Sequence, residues 1–132
     1  MEKKFINPPE ISKPRGYTHV VAAQGGTTIY VAGQVAFDAS GNMVGRGDLR
    51  AQAEKAAENL VAALRAAGAT PADVVKANTY VVNFKPDDLR IIRDVRARIF
   101  PAENPPASTL VGVQALAVDG LLIEMEAIAV VP

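Results

Sequence analysis

The closing run Ile123-Glu124-Met125-Glu126-Ala127-Ile128-Ala129-Val130-Val131 constrains this chain more than any other stretch. It reads as a long strand, apolar except for two carboxylates placed two residues apart. Side chains alternate along a strand, so Glu124 and Glu126 share one face and Ile123, Met125 and Ala127 share the other. A carboxylate on so apolar a strand has two explanations. It is an edge charge that blocks aggregation, or it is kept for chemistry. Ahead of this run, Asn104-Pro105-Pro106-Ala107-Ser108-Thr109 is a Pro-rich entry into another strand, with small and hydroxyl side chains at its mouth.

The rest of the chain supplies what this strand pairs with. Residues 1–16, with Pro8, Pro9, Pro14 and Gly16, predict an extended N-terminal arm on the surface. His19–Gln24 and Thr27–Gln34 flank Gly25-Gly26, which predicts a hairpin. In Leu49–Ala67 the three-four spacing of Ala53, Ala57, Leu60, Leu64 and Ala67 gives a helix, with Gln52, Glu54, Lys55 and Glu58 off its apolar face. Asp48 is its N-cap and Gly68 its stop. Val74–Asn83 is a strand. Pro86, Asp87 and Asp88 open a second helix that runs to about Ile99, with negative charge suited to a helix N-terminus. The order is β-β-α-β-α-β-β, an α+β domain spanning residues 1–132. Two helices cover only one face of such a sheet. The other face carries Tyr80, flanked by Lys76 and Asn78, and Leu122, Ile128 and Val130 beside the two glutamates. A half-apolar, uncovered sheet face predicts a homo-oligomer.

Composition removes several function classes. Fourteen basic residues balance fourteen acidic ones, so no charge excess draws the chain to nucleic acid or an anionic membrane. There is no cysteine, which excludes disulfides, thiolate metal sites and a cysteine nucleophile. One histidine, His19, argues against a histidine metal cluster or a Ser-His-Asp triad. The expectation is no metal and no cofactor. No run approaches a membrane span and none resembles a leader, so the expected address is cytoplasmic.

The pieces together resemble the Rid family of reactive intermediate deaminases, also called YjgF or endoribonuclease L-PSP-like proteins. The resemblance rests on Gly16-Tyr17, on Val31-Ala32-Gly33-Gln34, on Gln52–Gly68 with Asp73-Val74-Val75-Lys76, and on Ile123-Glu124-Met125-Glu126-Ala127, which is similar to the family's IEIEA-type signature. It implies a chorismate-mutase-like fold, helices on one face of a mixed sheet, a homotrimer, and clefts between subunits where enamines and imines are hydrolysed. By the same resemblance Glu124 positions water, Tyr17 contacts ligand across the interface and the Gly33 backbone lines the cleft. Family deaminases clamp a substrate carboxylate with the arginine of a P-A-R-S-x-V motif. Here the motif reads Pro106-Ala107-Ser108-Thr109-Leu110-Val111, with Ser108 at the arginine position. Ser108, Thr109 and Leu110 are the matching substrate-side positions, and Arg93 matches the family's helix asparagine. The departure at Ser108 places the chain near an arginine-lacking branch and predicts a small substrate without a clamped α-carboxylate.

The bare chemistry is compatible with these residues. A protonated imine is already electrophilic, so a protein need only hold it, place one water and move protons. Glu124 is the expected catalytic group, with Tyr17 as a hydroxyl on the arm. Each has a plainer role available: Glu124 as a partner for a cation of another subunit, Tyr17 as a packed aromatic. Glu126 is expected to be structural. Ser108 and Thr109 either meet a neutral polar group of a ligand or cap strand-end backbone. Arg93 is either a solvated helix charge or the missing positive group. His19 is expected to be a satisfied structural histidine. The expected partners are a small-molecule substrate and other copies of the chain. The alternative to a C=N hydrolase is a non-catalytic, small-ligand-binding or regulatory trimer of the same fold.

Overall fold

In the computed structural model, which describes all 132 residues, the chain runs β1 (Glu2–Ile6), β2 (Val20–Gln24), β3 (Thr27–Gln34), α1 (Leu49–Ala66), a 3-10 turn (Pro71–Asp73), β4 (Val74–Val82), α2 (Asp88–Ile99), β5 (Ala107–Val113) and β6 (Ile123–Val131). Four strands form a mixed sheet in the order β3-β6-β4-β5. β4 and β5 are parallel, and the other pairs are antiparallel. The closing strand therefore lies inside the sheet, between β3 and β4.

Alternation in β6 sorts the molecule into two sides. Ile123, Met125, Ala127 and Ala129 are buried with Ala77 and Val81 of β4 under the two helices. The helices contribute Ala53, Ala56, Ala57, Leu60 and Leu64 from α1 and Ile92 and Val95 from α2. The small residues of α1 let its backbone approach the sheet, and the leucines fill the space between. On the other side the register aligns Glu126 with Asn78, Glu124 with Tyr80 and Ile128 with Tyr30. No helix covers this side, and Tyr30 there is 76% exposed. No helix is long and apolar enough to cross a membrane.

Both ends of α1 follow the sequence. Asp48 accepts a hydrogen bond from the Ala51 N–H at 3.1 Å as N-cap. At the other end Gly68 takes φ +80°, and the Gly68 and Ala69 N–H groups return to the Arg65 and Leu64 carbonyls in a Schellman motif. Gln52, which the spacing put off the apolar face, is fully buried. Its amide donates to the Gly45 and Gly120 carbonyls at 3.2 and 3.0 Å, and its oxygen accepts from the Leu122 N–H at 2.8 Å. It ties α1 to the loop that launches β6.

Two expectations fail at the N-terminus. The arm of residues 1–16 is not wholly unpaired: Glu2–Ile6 is a strand, so the order is β-β-β-α-β-α-β-β. Lys3 and Phe5 are its half-buried positions, an alternation obscured by the charges around them. The hairpin is also absent, because β2 pairs with β1 in a separate two-stranded sheet while β3 pairs with β6. Gly25-Gly26 does turn the chain, but its arms diverge. Tertiary contacts hold the first two strands elsewhere: Lys3 Nζ donates to the Asp73 carbonyl at 3.2 Å, and the Thr18 N–H to the Pro106 carbonyl at 3.1 Å. A turn signal is local and cannot report such contacts.

Candidate functional site

The two glutamates of β6 share a face but not a role. Glu126 is engaged: Tyr80 Oη donates to it, and Asn78 Nδ2 does so at 3.2 Å. That hydrogen bond, followed by burial and the negative charges of Glu126 and Glu124, holds the Tyr80 phenol above its ordinary value, and the Asn78 amide works the other way. Glu126 is thus a structural acceptor, as expected. Glu124 takes part in none of the ion pairs. Its side chain lies across Gly33 of β3, so that a Cβ there would sit 2.1 Å from Oε2 and 2.9 Å from Cγ. Only glycine leaves room for the carboxylate at that spot. The register between β3 and β6 shifts between Val31 and Gln34, which places Gly33 in the irregular step. Asn59 of α1 pins the chain just beyond, donating to the Val35 and Phe37 carbonyls at 2.9 Å each.

The other candidates lie elsewhere in the chain. Tyr17 stands where the arm meets the mouth of β5, because its neighbour Thr18 binds the Pro105 and Pro106 carbonyls. Its ring meets His19 edge-on at 5.3 Å, and His19 Nε2 lies 2.6 Å from the Ser12 carbonyl oxygen. The histidine is satisfied locally. Ser108 and Leu110 align with the buried Ala77 and Thr79, so they point to the helix side of the sheet. Thr109 points to the other side and accepts from Lys76 Nζ at 2.8 Å. Alternation thus divides the trio of Ser108, Thr109 and Leu110 between two faces. Arg93 is exposed on α2 and lines a cavity of about 480 Å³ with Arg15 and Arg96.

The candidates fall into two groups. Glu124 and Gly33 belong to β6 and β3, whereas Tyr17 lies on the arm beside the entry to β5, Ser108 on β5 and Arg93 on α2. β4 separates β6 from β5, roughly 10 Å of strand spacing. Sequence reasoning missed Asn59, Gln52, Arg15 and Arg96. Arg96 had a signal, since Arg93 and Arg96 are three residues apart and neighbours on one helix face. Arg15 had none, because only the folded arm brings it there.

Comparison with known proteins agrees with this architecture. The family model described as endoribonuclease L-PSP matches residues 10–131. A 2-iminobutanoate/2-iminopropanoate deaminase of Dermatophagoides farinae is 35% identical over 98% of this chain and 97% of its own length. A RutC family protein of Pyrococcus abyssi is 36% identical over 98% of each chain. Among solved structures, the Rid-family protein YyfB of Yersinia pestis superposes with a TM-score of 0.92 at 44% identity, over 99% of this chain and 100% of its own. RidA of an Antarctic Psychrobacter gives 0.70 at 31% identity, over 91% and 92%. The fold, the closing strand and these likenesses lead to one assignment: the chain belongs to the Rid/YjgF, or endoribonuclease L-PSP, family.

Proposed function

We propose that this protein hydrolyses a small enamine or imine to a carbonyl compound and ammonia, in clefts formed between copies of the chain. The observation that carries the reading is Glu124, a carboxylate laid over Gly33 and engaged in no ion pair. The name of the Dermatophagoides relative gives that protein the same class of activity. In the reaction, Glu124 takes a proton from water as the oxygen attacks the carbon of the protonated C=N bond. The resulting carbinolamine receives that proton on nitrogen, Glu124 takes the hydroxyl proton as the C–N bond breaks, and the carbonyl product leaves with ammonia, which carries that proton away as ammonium. Tyr17 is the hydroxyl that orients the substrate. The separation of Glu124 from Tyr17 within one chain supports a cleft completed by a second copy.

Ser108 favours a substrate that is not clamped through an α-carboxylate at that position. It also sustains a second reading, in which the cleft binds a small ligand without turnover. Imines and enamines generated in situ, with ammonia release as the readout, distinguish the two. The hydrolase reading expects turnover that Glu124→Gln lowers about 10²- to 10⁴-fold, the usual worth of a general base. Ammonia release unaffected by Glu124→Gln would sink it. Ligand-dependent thermal stabilisation without any turnover would favour the binder.

A further inference from the structure

Two carboxamides on α1 hold the two strands that meet in the Glu124–Gly33 contact. Gln52 and Asn59 are seven residues apart, close to two helical turns, so they share a face of α1. Gln52 accepts from the Leu122 N–H at 2.8 Å, two residues ahead of Glu124 on the chain entering β6. Asn59 Nδ2 donates to the Val35 and Phe37 carbonyls at 2.9 Å each, just past Gly33 on the chain leaving β3. Strand pairing does not do this work at Gly33. From Val31 to Gln34, three steps of β3 pass against two of β6, so the stretch is a bulge and its ladder is interrupted. A tight turn follows, in which the Phe37 N–H donates to the Val35 carbonyl at 2.8 Å across the buried Ala36. Asn59 ties that turn to the helix. Asparagine is a poor residue for a helix interior, and alanine there would favour α1. The two carbonyl contacts offset that cost. Glu124, for its part, is in no ion pair, so the backbone it lies on decides where its carboxylate stands.

We infer that Asn59 is a positioning residue for the hydrolysis proposed above. It acts through the turn and the bulge, setting the level of Gly33 beneath the Glu124 carboxylate. The inference rests on that reaction and adds a separate claim: the general base is aimed from α1, on the far side of β3 from the water it activates. Asn59 is half-buried, unlike Gln52, so water can reach the two carbonyls when its amide is removed. Its loss therefore disturbs the aim more than the fold.

Steady-state ammonia release by the full chain tests this in a double-mutant cycle. Asn59→Ala should lower kcat about ten- to a hundred-fold, the scale of a misplaced catalytic group, with KM within about twofold. In a Glu124→Gln background the same change should lower kcat less than about twofold, because no carboxylate is left to aim. A residue that only supports the fold would lower kcat by one factor in both backgrounds, or move the melting temperature alone. Asn59→Asp keeps the shape and removes both donors, so it should repeat the alanine result and serves where the alanine variant does not fold. Amide NMR gives a readout independent of turnover: the Gly33 signal should shift in either variant while those of β4 and β5 stay. Equal losses in the two backgrounds, wild-type kcat in the variants, an unmoved Gly33 signal or loss of folding in both variants would overturn the role of Asn59. Failure of the hydrolase reading looks different: turnover that Glu124→Gln leaves unchanged, which removes the catalytic role of Asn59 with it.

Discussion

Glu124 and Gly33 form a contact that neither residue specifies alone. Glu124 was visible from the sequence, because alternation along an apolar strand is a local property. The need for glycine at position 33 was carried there only by the family resemblance, since the physical reason lies on another strand. Gly33→Ala tests that reason. The added methyl meets Oε2, Cδ and Cγ of Glu124 within 2.1 to 2.9 Å, so the carboxylate must swing away. A displaced catalytic group costs about a hundredfold in rate. The expected outcome is therefore a large fall in kcat with circular dichroism and melting temperature little changed, because a half-exposed glutamate has room to move. Retained activity would separate Glu124 from the chemistry. Ser108 shows the opposite limit of sequence reading. Its identity was plain, but its partition from Thr109 onto the helix side of the sheet follows from strand register with β4.

Among the elements, α1 and β4 were legible almost to the residue, since both rest on periodicity and caps. What the pattern misjudged was Gln52, because a polar residue at a buried position looks like a surface residue until its partners are known. Three backbone groups, from Gly45, Gly120 and Leu122, depend on its amide. Gln52→Leu should cost about 1–3 kcal/mol or more, the range for stranding one buried polar group. That loss appears in equilibrium denaturation as a shifted midpoint with unchanged slope. The link between β4 and β6 makes a prediction about pH. The Tyr80 phenol titrates above its ordinary value of 10.0 in the folded chain. Such a group contributes stability that is fully present below its unfolded value and lost as pH rises through the folded one. Tyr80→Phe should therefore be less stable than wild type by about 1 kcal/mol at pH 8. The gap should narrow above pH 10, and denaturation curves at pH 8 and 11 check the sign.

For the whole molecule, the N-terminal strands mark where local signals ran out. Gly25-Gly26 announced a turn correctly, yet the pairing of β2 is decided by β1 and by anchors on Asp73 and Pro106. The uncovered sheet face, by contrast, was foreseeable from counting helices, and it leads to the assembly expected here. Light scattering on the purified protein should give about three times the chain mass of 13.9 kDa, and a monomer at micromolar concentration would remove the shared cleft. The division of Glu124 from Tyr17 has a genetic consequence. If each cleft takes one half from each of two neighbours, defects in the two halves complement one another. Glu124→Gln and Tyr17→Phe chains, each impaired alone, would rebuild one intact cleft in every mixed trimer. Co-refolded in equal amounts, they should recover about a quarter of wild-type turnover by random assembly. Two damaged alleles would then support more activity together than either does alone.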